Sequence, residues 1–264
     1  MWADDRMSYF SKDSKYYFFA LYDTDQLQII SLESRRGTIT YCSLGDRLKE
    51  TAVSLNPLYF CTVTPKQCLL WNQNTKKVDK KIENTLDFIC CCFKNNDKEL
   101  VTLSYQEQDA TLISCWCLKK LKVLSQWTCK YISHSAKCYV IEETQILIID
   151  YQDVHEHYFQ IWNILGQSLI RILYEAIDSF YILNNFGSKL IVDCEDDEDD
   201  DNDENADKSD EYKWISIFDI LTFKYQRFKT FIEQGQSFYV QEGALIIQNR
   251  KNNSEDVGIF INIK

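Results

Sequence analysis

The sequence is short of glycine and proline and has no long hydrophobic run. It holds 7 glycines and 2 prolines in 264 residues, so the glycine-rich phosphate loops of nucleotide-binding enzymes have no match. No run of about eighteen apolar residues occurs, which excludes a transmembrane helix. Met1 is followed by Asp4 and Asp5 and not by an apolar stretch, so we expect no secretory signal. We therefore expect a cytoplasmic protein without a membrane partner, with the nucleus as the alternative compartment.

Catalytic signatures are also missing. No G-x-S-x-G nucleophile elbow is present. The 11 cysteines are an odd number and lie mostly in apolar strings, which indicates reduced, buried core residues and not a disulfide framework. Successive residues of a strand point to opposite faces, so Cys90, Cys91 and Cys92 are expected to pack in the core without converging. The sequence thus predicts no enzyme activity, no cofactor and no metal.

A metal-dependent enzyme or sensor is the least favoured alternative. His155-Glu156-His157 holds two of the 3 histidines, and residues at i and i+2 of a strand share one face. Cys115 and Cys117 have the same spacing one repeat earlier. Cys117 follows the anchor Trp116, whereas the histidine pair precedes the anchor Trp162 by five to seven residues, so the two pairs are expected at opposite ends of their strands.

The excess of negative charge lies in one segment. Residues 195–211 hold 12 acidic residues and one lysine, which leaves 28 basic and 28 acidic residues elsewhere. The neutral remainder argues against nucleic-acid binding. The run has no large apolar residue to bury, so we expect a disordered loop. It is a solvated insertion, a binding site for basic proteins or a divalent-cation site, and the candidate partner-binding residues are Glu195, Asp196, Asp197, Glu198, Asp199, Asp200, Asp201, Asp203 and Glu204.

A short apolar string that ends in an anchor residue recurs along the chain. The anchors are separated by 41, 45, 46, 56 and 42 residues, a period typical of a four-stranded propeller blade. Aromatic residues make up 14% of the chain and favour strands. The six structural repeat anchors are Ile30, Trp71, Trp116, Trp162, Phe218 and Phe260.

The strands around the anchors can be placed from the same register. Second strands are predicted at residues 17–21, 99–104, 145–150, 189–193 and 244–248, and fourth strands at 38–42, 76–82, 121–127, 168–173 and 223–228. The acidic run then falls between the second and third strands of one blade. A hairpin loop tolerates such an insertion at little entropic cost. An irregular β-sandwich is the alternative architecture.

Three dipeptides resemble the Trp-Asp dipeptide of the WD40-repeat family of β-propellers: Trp71-Asn72, Trp162-Asn163 and Phe218-Asp219. The resemblance covers nearly the whole chain. No Gly-His dipeptide opens a repeat, and the family's aspartate six residues before the tryptophan is replaced by Pro65, Ala110, Glu156 or Tyr212. The family's His-Ser-Asp-Trp network is therefore expected to be missing, and packing between blades takes its place.

The resemblance implies an all-β fold, a single propeller domain over residues 1–264 with about six four-stranded blades. The last blade has its third strand near residues 257–263. It is either closed by the N-terminal segment or left incomplete, and an incomplete blade can accept a strand from a partner.

The sequence favours a noncatalytic protein–protein interaction scaffold, a subunit of a larger assembly whose partners include basic proteins. The alternative is a histone-chaperone-like binder that uses the acidic loop. Lysines at residues 76–81 and at Lys119-Lys120 either form a basic strip for an acidic partner or protect strand edges.

Overall fold

The computed structural model describes residues 6–10, 15–21, 24–32, 38–54, 59–106, 110–130, 136–142, 144–152, 157–174, 177–183, 189–194, 212–219, 222, 224–231, 236–241, 244–249 and 261–262. These residues form strands and turns, and none of them lies in a helix. No helix in this part of the chain has the length and hydropathy to cross a membrane. The expectation of an all-β fold is confirmed.

The described strands form six antiparallel sheets. Within each sheet the strands are hydrogen-bonded in chain order, an up-and-down arrangement in which each strand lies beside the one that precedes it in the chain. The first three sheets contain β1 (Arg6–Phe10), β2 (Tyr16–Leu21), β3 (Gln26–Ser31) and β4 (Thr38–Ser43); β5 (Glu50–Val53), β6 (Tyr59–Thr64), β7 (Gln67–Asn72) and β8 (Lys77–Glu83); and β9 (Phe88–Lys94), β10 (Glu99–Gln106), β11 (Ala110–Cys117) and β12 (Lys122–Lys130).

The other three sheets continue the series. The sixth sheet has three described strands, and the last of them covers two residues. These sheets contain β13 (Ala136–Ile141), β14 (Ile146–Gln152), β15 (His157–Asn163) and β16 (Ser168–Tyr174); β17 (Ile177–Leu183), β18 (Lys189–Cys194), β19 (Tyr212–Asp219) and β20 (Tyr225–Phe231); and β21 (Gln236–Gln241), β22 (Ala244–Asn249) and β23 (Ile261–Asn262).

The strand positions inferred from the anchors are confirmed. All five second strands and all five fourth strands predicted from the sequence coincide with observed strands to within a few residues. Residues 195–211 connect β18 to β19, which are hydrogen-bonded neighbours. The acidic run therefore joins a second strand to a third, as predicted. The acidic run, which we expect to be disordered, lies outside the described residues, and so does most of the predicted strand at 257–263.

The chain divides into two compact units, Met1–Leu173 and Tyr174–Lys264. The first unit contains the first four sheets. The second contains the fifth and sixth sheets. The prediction of a single domain over residues 1–264 stays a prediction.

The first and second sheets pack face to face in the first unit. Phe18 and Phe60 lie across the interface with ring centroids 4.3 Å apart, and Phe60 stacks on Trp71 at 5.8 Å. Leu44 and Leu48, from the connection between β4 and β5, complete the same cluster. Burial of each large apolar side chain stabilises the fold by about 1.5–3 kcal/mol.

The third sheet is covered on both faces. Every residue of β9 is buried. Cys91 and Phe93 pack with the second sheet, whereas Cys90 and Cys92 pack with the fourth. The alternation of side chains along the strand thus supplies both interfaces, which explains why Phe88–Lys94 reads as a nearly continuous apolar run.

Candidate functional site

The turn from the third strand to the fourth has the same cap in three sheets. The residue after the aromatic anchor accepts hydrogen bonds through its side-chain oxygen from backbone N–H groups of the turn, which is the role of a turn-forming Asn or Asp. The bonds are 2.8–3.1 Å long and join Asn72 to Asn74 and Thr75, Asn163 to Gly166, and Asp219 to Thr222. The dipeptides that resemble Trp-Asp are therefore also turn signals.

Two of these turns, and the equivalent turn of the third sheet, end in a residue with left-handed backbone. Lys76, Leu121 and Gln167 have φ values of 58°, 50° and 49° and directly precede β8, β12 and β16. Glycine usually occupies such positions because it has no Cβ. A chain with 7 glycines places ordinary side chains there instead and carries the strain.

We expect Leu121→Gly to raise the free energy of unfolding by about 0.5–1 kcal/mol, because relief of left-handed strain exceeds the extra entropy that glycine loses. Urea denaturation followed by far-UV circular dichroism measures the change. Leu124→Gly is the control, since it removes an exposed leucine from the interior of β12 and should lower stability. Equal losses in both variants would contradict the strain at residue 121.

The three tryptophan anchors lie on third strands and are held in similar ways. Each indole N–H donates a hydrogen bond of 2.9 Å to a polar side chain on its own sheet: Trp71 to Thr62 Oγ1, Trp116 to Thr102 Oγ1, and Trp162 to Gln160 Oε1. Thr62 and Thr102 are second-strand residues at equivalent diagonal positions. In the fourth sheet the corresponding second-strand residue is Ile149, whose side chain cannot accept a hydrogen bond. The indole of Trp162 donates instead to Gln160 on the third strand.

Each tryptophan anchor packs toward the preceding sheet. Trp71 belongs to the cluster with the first sheet, Trp116 borders the cluster with the second, and Trp162 belongs to the cluster with the third. These three anchors therefore form the interfaces between consecutive sheets of the first unit. Ile30 lies half-buried in β3 and Phe218 lies in β19. Phe260 lies outside the described residues.

The fourth strands present apolar side chains to solvent opposite the anchors. Ile39 pairs with Ile30, Val78 with Trp71 and Val123 with Trp116, and these three side chains are 51%, 42% and 39% exposed. The outer rim of the fourth sheet adds exposed leucines at positions 165 and 169. A recurring row of exposed apolar side chains is unusual on a solvated surface and is typical of an interaction site.

Lysines accompany this row on the second and third sheets. Residues 72–78 and 117–123 contain five lysines and no acidic residue. Four of the five are exposed and have no ion-pair partner among the residues that the structure describes. We define the basic-apolar strip as Lys77, Val78, Lys119, Lys120, Lys122 and Val123.

Lysines further along β8 are engaged locally. Lys80 Nζ lies 5.1 Å from the centre of the Tyr59 ring, and Lys81 pairs with Glu83 at 2.7 Å. Tyr59 OH donates a hydrogen bond of 2.7 Å to Asp79 Oδ2. That bond stabilises the neutral phenol and, with burial and the charge of Asp79, raises the pKa of Tyr59 to about 12.

The raised pKa predicts the alkaline behaviour of Tyr59. A phenol with an ordinary pKa of about 10 in the unfolded chain stays neutral to higher pH in the folded chain, so its hydrogen bond contributes fully below about pH 10 and is lost toward pH 12. The measurement is the difference in absorbance at 295 nm between the wild type and Tyr59→Phe, read in stopped-flow pH jumps before the chain unfolds. The pH titration of this difference should have its midpoint near 12. Asp79→Asn should lower that midpoint. A wild-type midpoint near 10 would show that the bond does not form.

Two groups of thiols flank β9, and sequence reasoning did not find them. Cys91 lies with Cys61 and Cys68 of the second sheet, and the hydrogen bond with Cys61, together with burial, raises the pKa of the Cys91 thiol. Cys90 and Cys92 lie with Cys138 of the fourth sheet, and burial is the main cause of the raised pKa of Cys138. Alternation identifies the face of each cysteine but not the thiols that the neighbouring sheet places against it. A raised pKa keeps a thiol protonated and unreactive.

The metal alternative gains no support from the part of the chain that the structure covers. The ten cysteines whose side chains the structure describes are all free thiols. No group of three or more His, Cys, Asp or Glu in that part is arranged to hold a metal ion. His155 and Glu156 lie outside the described residues. His157 begins β15 and Cys117 ends β11, at opposite ends of equivalent strands.

A small charge cluster lies on the early strands of the second and fourth sheets. Lys137 of β13 lies opposite Asp150 of β14 in the register of these two antiparallel strands. Burial raises the pKa of Glu50, while the N–H of Thr51, 2.8 Å from Glu50 Oε1, and the charge of Lys137 oppose the rise. The lysine partly balances the two carboxylates, so the cluster is suited to holding the strands together.

The acidic candidates Glu195 to Glu204 all lie outside the described residues. The structure brings the exposed apolar row and the lysines of the basic-apolar strip together instead. The sequence contained the lysine signal, because the lysines recur in the same place of consecutive repeats.

No protein-family model and no curated protein matches the chain. Its fold is shared with many solved chains. One of them is a chain of the hydrazine synthase of Kuenenia stuttgartiensis, with a TM-score of 0.62, 11% sequence identity, and coverage of 91% of this chain and 72% of that chain. At this identity the likeness concerns the fold alone.

Proposed function

We propose that the chain is a noncatalytic protein-interaction scaffold and a subunit of a larger assembly, built as a divergent WD40-like β-propeller of about six blades. The up-and-down sheets in chain order support this architecture. So does the packing of each tryptophan anchor against the preceding sheet. A scaffold of repeated sheets offers broad, rigid surfaces for partners. The free thiols of its described cysteines suit the reducing cytoplasm.

The observation that carries the proposal is the row of exposed apolar side chains opposite the anchors. Ile39, Val78 and Val123 occupy the same place in consecutive sheets. Their exposure costs solvation free energy that a protein partner recovers on binding. The row lies on strands that each have one hydrogen-bonded neighbour in the described sheets, so backbone groups are also accessible there.

The test compares two tagged double variants recovered from native cells and analysed by quantitative mass spectrometry. Val78→Glu with Val123→Glu places two charges in the apolar row. Thr40→Glu with Thr128→Glu places two charges at other exposed positions of fourth strands. We expect stoichiometric partners of the wild type to be lost in the first variant and retained in the control. Identical partners in both variants, or a wild type without stoichiometric partners, contradict the scaffold.

A second candidate function concerns the acidic run. All 11 units of net negative charge lie within residues 195–211, and the run joins two neighbouring strands, β18 and β19. Such a segment attracts basic proteins in a salt-sensitive way. Replacement of its acidic residues by serine, at constant length, should abolish binding of a histone-tail peptide in 50 mM salt. Unchanged binding would reject this function.

A further inference from the structure

The basic-apolar strip repeats one dipeptide in two consecutive sheets. Lys77-Val78 begins β8 and Lys122-Val123 begins β12, and each follows a residue with left-handed backbone. Val78 and Val123 lie opposite the equivalent anchors Trp71 and Trp116. The two pairs therefore occupy the same position on sheets that pack face to face through a shared apolar cluster.

The charge of the strip has one sign. Lys119 and Lys120, in the turn before β12, add two more exposed ammonium groups to those of Lys77 and Lys122. Lys80 and Lys81, further along β8, have local partners and do not contribute. Lys119, Lys120 and Lys122 lie within four residues of one another, so their like charges repel, and salt screens such repulsion only beyond about 8 Å at physiological ionic strength. An anionic ligand relieves this repulsion.

We infer that the basic-apolar strip binds an extended acidic segment of a partner protein that carries apolar side chains. Lys77 and Val78 are consecutive residues of β8 and point to opposite faces, as do Lys122 and Val123 of β12. The segment therefore lies along the exposed strand edges, where its carboxylates pair with the lysines and its apolar side chains cover Val78 and Val123. Stacked sheets lie about 10 Å apart, and an extended chain in the polyproline II conformation advances about 3.1 Å per residue and returns to the same side every third residue. The segment therefore repeats an acidic residue and an apolar residue about every third position.

This inference rests on the proposed scaffold function and names the chemistry of its partner. A peptide ligand, and not a polyanion, is favoured because both lysine-rich turns also expose apolar side chains. Lipid headgroups and nucleic acid offer phosphates but no side chains to cover the two valines.

The experiment uses the full chain and fluorescence anisotropy. The probe is a labelled 12-residue peptide with four repeats of Asp-Ile-Ser. Matched peptides replace every Asp by Lys or every Ile by Ser. We expect the first peptide to bind, the Lys peptide to show no binding, and the Ser peptide to bind about tenfold more weakly because it covers no apolar surface.

The variants test the position of the site. Lys77→Gln, Lys119→Gln and Lys122→Gln together should weaken binding about tenfold, since exposed ion pairs each contribute modestly. The control removes the same charge with Lys66→Gln, Lys81→Gln and Lys224→Gln and should leave affinity unchanged. Equal affinity of the two triple variants, or no binding of the Asp-Ile-Ser peptide at 1 mM, overturns the inference.

Competing ligands give further outcomes. Two results together would assign the strip to the chain's own acidic run and overturn a partner segment. A peptide of residues 195–211 would bind as tightly as the probe, and the serine-substituted chain would bind the probe more tightly than the wild type does. Binding to vesicles of phosphatidylserine and phosphatidylcholine without binding to the probe overturns it in favour of a membrane. If the peptide fails while Val78→Glu with Val123→Glu still loses its partners, the scaffold stands and only the partner chemistry is wrong.

Discussion

Replacement of Trp71 by alanine should lower the free energy of unfolding by about 3–5 kcal/mol, the range for large aromatic core residues. Trp71 is buried, stacks on Phe60 and lies in the interface between the first and second sheets. Its removal leaves a cavity that the strands cannot fill. The change also deprives the buried Thr62 hydroxyl of its 2.9 Å partner, which adds the cost of an unsatisfied polar group.

Two controls separate these contributions. Trp71→Phe keeps an aromatic ring and loses the indole donor, so its expected loss is about 1–2 kcal/mol. Val78→Ala, on the strand opposite and exposed to solvent, should change stability by less than about 0.5 kcal/mol. Urea denaturation followed by circular dichroism measures all three. A loss below about 1 kcal/mol for Trp71→Ala would place this residue outside the core and refute the anchor interpretation.

Replacement of Tyr151 by alanine should cost a similar amount, about 3–5 kcal/mol, at the interface between the third and fourth sheets. Tyr151 is fully buried, its ring lies 4.9 Å from that of Tyr158, and its hydroxyl lies 3.8 Å from Cys129 Sγ. Tyr151→Phe retains the ring and should cost about 1 kcal/mol. Leu169→Ala, at an exposed position, is the surface control.

The two replacements also test cooperativity within the first unit. The first four sheets are linked by consecutive clusters, so both variants should shift one transition to lower urea concentration with an unchanged slope. Their effects should add, because the two sites share no contacts. A second transition that appears in Tyr151→Ala alone would show that the third and fourth sheets unfold independently of the first two.

The strand order followed from the sequence because the anchors recur at regular intervals. Each anchor ends a short apolar run and precedes a turn residue such as Asn72, and both signals are local. β5 gave no such signal, since Glu50–Val53 is short and has no aromatic residue. The described part of the sixth sheet ends at β23 (Ile261–Asn262), so a last blade that is closed by the N-terminal segment or left incomplete stays a prediction.

Contacts between strands were harder to derive from the sequence. The hydrogen bond from Trp116 to Thr102 depends on the register of β10 and β11, which no single segment specifies. The approach of Cys91 to Cys61 and Cys68 depends on which sheet covers each face of β9. The lysines of the strip were visible in the sequence, whereas their position beside exposed valines required the pairing of β8 with β7 and of β12 with β11.

Consecutive sheets stack face to face around β9, and the fourth strands lie at the exposed rim. Native-state hydrogen exchange measured by NMR tests this stacking most directly, by comparing the amides of β9 that bond β10 with the amides of β8 that bond β7. β8 and β9 each pair with one strand, but only β9 is buried along its whole length. We expect the β9 amides to exchange only through global unfolding, at least about tenfold more slowly than those of β8. Equal exchange rates in the two strands would contradict the stacking of the sheets.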